Sequence, residues 1–204
     1  MRVILVQQTP NPIETISQIA SICYDSQPKS PIRLVEHLYR SGHHSVFEHI
    51  YFTFYIEGIS RACSHQLVRH RMCSFTQRSQ RYCSEDGFKV VLPPSIDSSP
   101  DRYYEYGDGI QETRQCYENL VRANTPNEDA RYILPNACET SLYLSCNLRE
   151  LIHICNERLC SRAQWEIREV VQEMVKSVHP SLKFMLVPKC KSDRIICHTP
   201  CNKN

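Results

Sequence analysis

A mixed α+β single domain, with several helices packed on a modest sheet, is the fold class this sequence predicts. Short β-branched and aromatic runs alternate with longer segments of helical period. No internal repeat or low-complexity stretch interrupts them. The 204 residues, 41% hydrophobic and 23% charged, suit one sizeable core. The domain is expected to span residues 1–188, with a polar, cysteine-containing tail over 189–204.

In chain order, Arg2 to Gln7 reads as a strand, and Pro12 opens a helix with Ile13, Ile16, Ala20 and Cys23 on one face. Ser30-Pro31 starts a second helix that Gly42 ends. Ser45 and Glu48 have capping-box spacing after the polar turn Gly42-His43-His44. The run from Ile50 to Ile56 is aromatic and β-branched, a strand expected to be covered on both faces and ended by Gly58. Ser60 caps a helix that continues through His70. From Arg71 to Asp101 periodicity fades and prolines accumulate, which predicts a ligand-contacting loop region. A helix from about Arg102 to Ala123, a brief one after Thr125-Pro126, and a strand over Thr140–Ser145 follow. Asn147 begins a helix with Leu148, Leu151, Ile152, Cys155 and Leu159 inside. Ser161 to Gln164 reads as a further capping box for a helix burying Ile167, Val170, Val171 and Met174.

Charge distribution points to a ligand. Between Arg61 and Ser84 lie five arginines (Arg61, Arg69, Arg71, Arg78, Arg81) and no acid. Such crowding is unfavourable unless anions sit among the guanidiniums, so the segment predicts a polyanionic, phosphorylated ligand. A guanidinium fork grips phosphate through parallel donors, and Ser74 and Ser79 can complete the shell. With five glycines in all, there is neither a Walker A loop nor a Gly-x-Gly-x-x-Gly turn, so side chains must hold the phosphates.

Twelve cysteines are many for this length. Cys23, Cys63, Cys116, Cys138 and Cys146 read as buried free thiols. The tail places His198 between Cys197 and Cys201, with Cys190 before them, which leaves a metal site or a redox-sensitive tail open. No paired Cys-x-x-Cys knuckle and no His-x-x-x-His exists, and the expectation is no metal. No nucleophile stands out either, which suggests that a cofactor carries the hard chemistry. No signal peptide and no run of about 18 apolar residues is present, so a cytoplasmic protein without a membrane partner is expected.

The spacing Arg69-His70-Arg71-x-x-Ser74-x-x-x-x-Ser79-x-Arg81 resembles the signature of flavin-dependent thymidylate synthases at all six fixed positions. Gly42-His43, Glu48-His49, Phe52-Thr53-Phe54, Ser60-Arg61 and Gln66 agree upstream. Ala130-Arg131, Leu134-Pro135, Asn147, Arg149, Arg158 and the run from Ala163 to Arg168 agree downstream. The resemblance covers roughly Met1 to Pro188. It implies reductive methylation of dUMP to dTMP, with 5,10-methylenetetrahydrofolate as carbon donor, FAD as hydride carrier and NADPH as reductant. It also implies a homotetramer with active sites at subunit interfaces, and no cysteine attack on the uracil ring.

Carried over position by position, the resemblance gives Ser45, Glu48, Arg69, His70, Arg71, Asn147, Arg149 and His153 as flavin contacts. It gives Gln66, Gln77, Ser79, Arg81, Arg131 and Arg158 as the nucleotide site, Arg158 as the activating arginine, and His43 as the histidine where folate stacks. Three positions depart from the pattern: Gln77 where many members have glutamate, His153 for a commoner asparagine, and Arg162 where some have histidine. Alternatives stay open. Glu48 can serve the Ser45 box, and Arg149 and Arg158 can pair with Glu150 or Glu157. The basic segment with Tyr103, Tyr104 and Tyr106 can also serve a single-stranded nucleic-acid binder, although no nucleic-acid partner is the expectation. A nucleotide-binding regulatory oligomer is the third possibility.

Overall fold

The computed structural model describes all residues except Tyr24, Ser26, Gln27, Arg194 and 202–204, so the expected tail lies partly outside the described residues. Four strands form one sheet in the order β1-β2-β4-β3: β1 Arg2–Gln8, β2 Tyr51–Ser60, β3 Ser74–Gln77 and β4 Glu139–Asn147. The helices are α1 Pro12–Ser21, α2 Pro31–Ser41, α3 Arg61–Leu67, α4 Pro94–Asp97, α5 Pro100–Arg122, α6 Asn127–Ala130, α7 Leu148–Arg158 and α8 Trp165–Ser177. The mixed class with helices on a modest sheet is as expected.

The chain divides into two compact units. The first comprises Met1–Ile56, Gln66–Phe75 and Tyr143–Asn204. Here α8 packs on β1, α7 on α8, and α1 on α2. Phe52, Phe54 and Ile56 in β2 are buried, as are Leu144 and Cys146 in β4, while Tyr51 and Tyr143 are exposed. Each of those apolar side chains contributes about 1.5–3 kcal/mol by leaving water. The strand over 50–56 is therefore covered on one face, not both. On the other face Tyr55 meets Tyr143 with ring centroids 5.1 Å apart, and Thr53 bonds Ser145 at 3.0 Å. β2 also runs past Gly58, whose φ of 69° lets the chain bend without ending the strand.

Helix α7 explains why this unit can present polar side chains accurately. Asn147 caps it by accepting the Glu150 N–H at 2.9 Å, and Leu148, Leu151, Ile152 and Cys155 are buried at helical spacing. Two capping expectations fail. Residues Ser45–His49 form a 3-10 turn in which Ser45 makes no cap bond, and Glu48 turns to Arg149 instead. Helix α8 begins at Trp165, because Gln164 Oε1 accepts the N–H groups of Glu166 and Ile167, both at 3.1 Å.

The second unit comprises Glu57–His65 and Thr76–Leu142. Ser60 is buried and its hydroxyl accepts the Cys63 N–H at 3.0 Å, as expected for a cap. The helix it starts stops at Leu67, so Arg69 and His70 lie beyond it. Helix α5, 23 residues long, buries only Tyr117, whose hydroxyl accepts the Glu85 N–H at 3.0 Å. The sequence also misplaced Cys23 and Cys116, both exposed, whereas Cys63, Cys138, Cys146 and Cys155 are buried thiols.

Candidate active site

In the first unit α7 delivers Arg149, Glu150, His153 and Arg158, and the turn after α3 delivers Arg69, His70 and Arg71. His70 is the centre of the arrangement and is 5% exposed. Arg158 Nε donates to His70 Nε2 at 3.0 Å. A guanidinium can only donate, so Nε2 must carry the lone pair. Burial, then the Arg158 charge and His153, bring the imidazole pKa down from 6.5 to about 4, so the ring is neutral near pH 7. Its proton therefore sits on Nδ1, which faces Glu150 Oε1 at 3.5 Å. With a neutral ring this is a dipole against a carboxylate rather than an ion pair. Glu150 is itself buried, and that burial raises its pKa, with His153 opposing.

His153 stacks edge-on to His70 with centroids 5.7 Å apart. Donor atoms of His70, Glu150 and His153 lie within 4.8 Å of one another, a spacing compatible with a cation. The Arg158 guanidinium already occupies His70 Nε2, and its charge opposes a metal ion there.

Beside this triad a cleft of about 510 Å³ is lined by Glu48, Met72, Asn147, Arg149, Glu150 and His153. Arg149 is ion-paired with Glu48, not with Glu150 or Glu157. Arg69 and Arg71 are exposed, and among the described residues their guanidiniums meet no acid. Ser45 and His43 are exposed and Gln66 is half-buried. Among the expected residues of this unit, the structure brings together Glu48, His70, Asn147, Arg149, His153 and Arg158. Among the described residues, His43, Ser45, Gln66, Arg69 and Arg71 make no side-chain hydrogen bond or ion pair with them.

In the second unit Arg81 Nε meets Glu128 Oε2 at 2.6 Å, and Arg131 Nε donates to the Glu128 carbonyl at 3.0 Å. Arg81 thus meets the Glu128 carboxylate and Arg131 its main-chain carbonyl. Ser79 Oγ accepts the Arg81 N–H at 3.2 Å, which fixes the turn that carries Arg81. Gln77 Nε2 donates to Ser64 and Thr140 hydroxyls at 2.9 and 3.2 Å. Arg78 pairs with Glu85 at 3.3 Å. The basic segment therefore does find acids, supplied from outside it, at two of its five arginines. Glu128 and Glu150 were not foreseen in these roles. Their signal in the sequence is only a first-turn acid beside a helix start, as common in structural caps as in sites.

Residues 4–182 match the family described as thymidylate synthase complementing protein. The flavin-dependent thymidylate synthase of Geobacter sulfurreducens is 42% identical over 205 residues, covering 93% of this chain and 88% of that protein. The enzyme of the same name from Pyrococcus furiosus is 43% identical over 211 residues, covering 93% and 86%. A crystal structure of the Helicobacter pylori thymidylate synthase with FAD and dUMP superposes with a TM-score of 0.78 over 91% of this chain and 97% of that one. At 22% identity this likeness speaks to the fold. With the signature intact from Arg69 to Arg81 and the match running almost end to end, this chain belongs to the flavin-dependent thymidylate synthase family.

Proposed function

We propose that this protein reductively methylates dUMP to dTMP in the cytoplasm, as a homotetramer. It uses 5,10-methylenetetrahydrofolate as carbon donor, FAD as cofactor and NADPH as reductant. Membership of the family over residues 4–182 carries the reading. Among the described residues no helix is long and apolar enough to cross a membrane. Twelve free cysteines suit a reducing compartment.

The donor set fits an anionic dinucleotide. Arg69 and Arg71 are exposed cations without an acid partner among the described residues, suited to a diphosphate. Asn147, Arg149 and His153 line the adjoining cleft with hydrogen-bonding groups, and Ser45, Glu48 and His70 complete the proposed cofactor contacts. Bound there, FAD supplies the hydride chemistry. His153, in place of asparagine, still offers a ring nitrogen. His43, exposed ahead of the 3-10 turn, is available for the folate to stack on.

Arg158 is the residue we assign to activation of the uracil ring. His70 takes its Nε–H, and the Nη groups make no hydrogen bond among the described residues, so they are free to face charge that develops on the ring. Holding the guanidinium before substrate arrives removes reorganisation from the reaction. Arg81, Arg131, Ser79, Gln77 and Gln66 bind the nucleotide. Its phosphate takes the place of the Glu128 carboxylate at Arg81. Gln77 cannot act as a carboxylate; its amide instead fixes the Ser64 and Thr140 hydroxyls.

The tetramer accounts for surfaces that one chain leaves open. Tyr51 is 58% exposed and Tyr143 46%, and α5 buries a single residue. Active sites formed where subunits meet then use both. The deciding experiment is dUMP-dependent oxidation of reduced flavin by the purified protein, with and without methylenetetrahydrofolate. Formation of dTMP only when both are present is the expected result. Protein that takes up no flavin, or binds oligonucleotides instead, overturns the reading.

A further inference from the structure

Beside the end of α7 a cavity of about 400 Å³ has five soft donors on its wall: Cys160, Cys190, Cys197, His198 and Cys201. The thiols of Cys160 and Cys201 lie 3.4 Å apart, and Cys190 lines the same cavity. The Ser161 N–H donates to Cys201 Sγ at 3.3 Å, the backbone support that orients a thiolate ligand. Around tetrahedral zinc, with Zn–S of about 2.3 Å, sulfur atoms stand about 3.8 Å from one another. The observed separation is near that edge and far outside a disulfide bond of about 2.0 Å. The wall also holds Asn156, whose buried Oδ1 has no hydrogen-bond partner among the described residues.

We propose that Cys160, Cys190, Cys201 and one donor from the Cys197–His198 pair form a structural zinc site. Soft sulfur and imidazole donors select zinc over magnesium or calcium. Four protein ligands leave no open position, so the site is closed to substrate. Binding releases one proton from each ligating thiol and leaves a net negative complex. Lys189 and Arg162, on the same wall, offset that charge. Arg162, one of the family departures, thereby gains a use. The ion would tie the tail to the loop that follows Arg158, across 41 residues of sequence from Cys160 to Cys201. The sequence shows only the tail cysteines; the contribution of Cys160 comes from the fold.

The test uses the full chain purified anaerobically, analysed by elemental mass spectrometry and zinc-edge X-ray absorption. The expected result is about one zinc per chain with three or four sulfur neighbours at about 2.3 Å. The double variant Cys190→Ser/Cys201→Ser should lose zinc by about tenfold or more, with circular dichroism reporting that it folds. Should that variant not fold, wild-type protein gives the second readout: bound zinc protects Cys160, Cys190 and Cys201 from alkylation, and a chelator exposes them. Three outcomes would overturn the site. Reduced protein takes up no added Zn²⁺; the double variant keeps its full zinc; or anaerobic protein carries a Cys160–Cys201 disulfide.

Discussion

Arg158 leans its Nε–H on a buried neutral imidazole at 3.0 Å, whereas Arg81 meets an exposed carboxylate at 2.6 Å. The first contact is fixed by the chain itself. His70 is packed, its proton is confined to Nδ1, and Arg158 closes a helix whose apolar face is buried. The second joins Arg81 and Glu128 side chains that are 54% and 46% exposed, where an ion pair is worth about 0–1 kcal/mol. A ligand anion can displace it. The comparison teaches that the fold itself holds Arg158, the arginine we propose activates the ring, and leaves exchangeable Arg81, the one we propose binds phosphate.

The largest expected effect is at Arg158. Arg158→Lys keeps the charge but loses the fork and the bond to His70, so kcat for dTMP formation should fall by about 10²–10³-fold. Circular dichroism should show an unchanged fold. A variant that turns over at full rate would remove the activating role. Arg81→Ala should act on the other side of the comparison. Loss of a charge-assisted bond worth about 1.5–3 kcal/mol raises KM for dUMP about 10- to 100-fold and leaves kcat within a few-fold. Steady-state kinetics separates the cases, and a kcat effect in place of the KM effect at Arg81 would dissolve the distinction.

A smaller effect concerns His70 and acid. Its pKa is depressed from 6.5 to about 4 by burial first, then by Arg158 and His153. In that window the unfolded chain binds the proton and the folded chain does not, so stability falls as pH falls. The contribution is complete above about pH 6.5 and lost progressively toward about pH 4. Protonation also removes the lone pair that Arg158 uses. Thermal melts of wild type and His70→Asn across that range are the check: the wild type should lose more of its midpoint, and parallel curves would show that another group governs the acid limb.

Strand and helix types were legible because alternation and helical period are local, as in β2, β4, α7 and α8. β3 was hidden: Ser74–Gln77 is four residues without an apolar pattern, and it is a strand only because β4 pairs with it. The capping box at Ser45 and Glu48 failed for a similar reason. Arg149, 101 residues away, outcompetes a local bond. At the site, fixed spacing made Arg69 to Arg81 readable. The partners were not, since His70 and Arg158 are 88 residues apart and nothing in either segment names the other. Isolated acids such as Glu128 carry no periodic signal, and the apparent charge imbalance of the basic segment is partly met by Glu85 and Glu128, which lie beyond its end.

Glu128 gives the finest test of the comparison. If its carboxylate holds the place of the substrate phosphate at Arg81, it competes with dUMP. Glu128→Gln keeps the shape and removes the charge, so Arg81 no longer releases an acid partner on binding. The pair's surface exposure limits the gain to about 1 kcal/mol, which corresponds to a Kd for dUMP up to about fivefold tighter. The gain should shrink as salt rises, because screening already weakens the pair in the wild type. Arg158 takes no part in this exchange, so kcat should stay unchanged. Calorimetric titration at low and high salt reads both quantities; unchanged or weaker binding in the variant would mean that Glu128 orders Arg81 for the nucleotide rather than standing in its place.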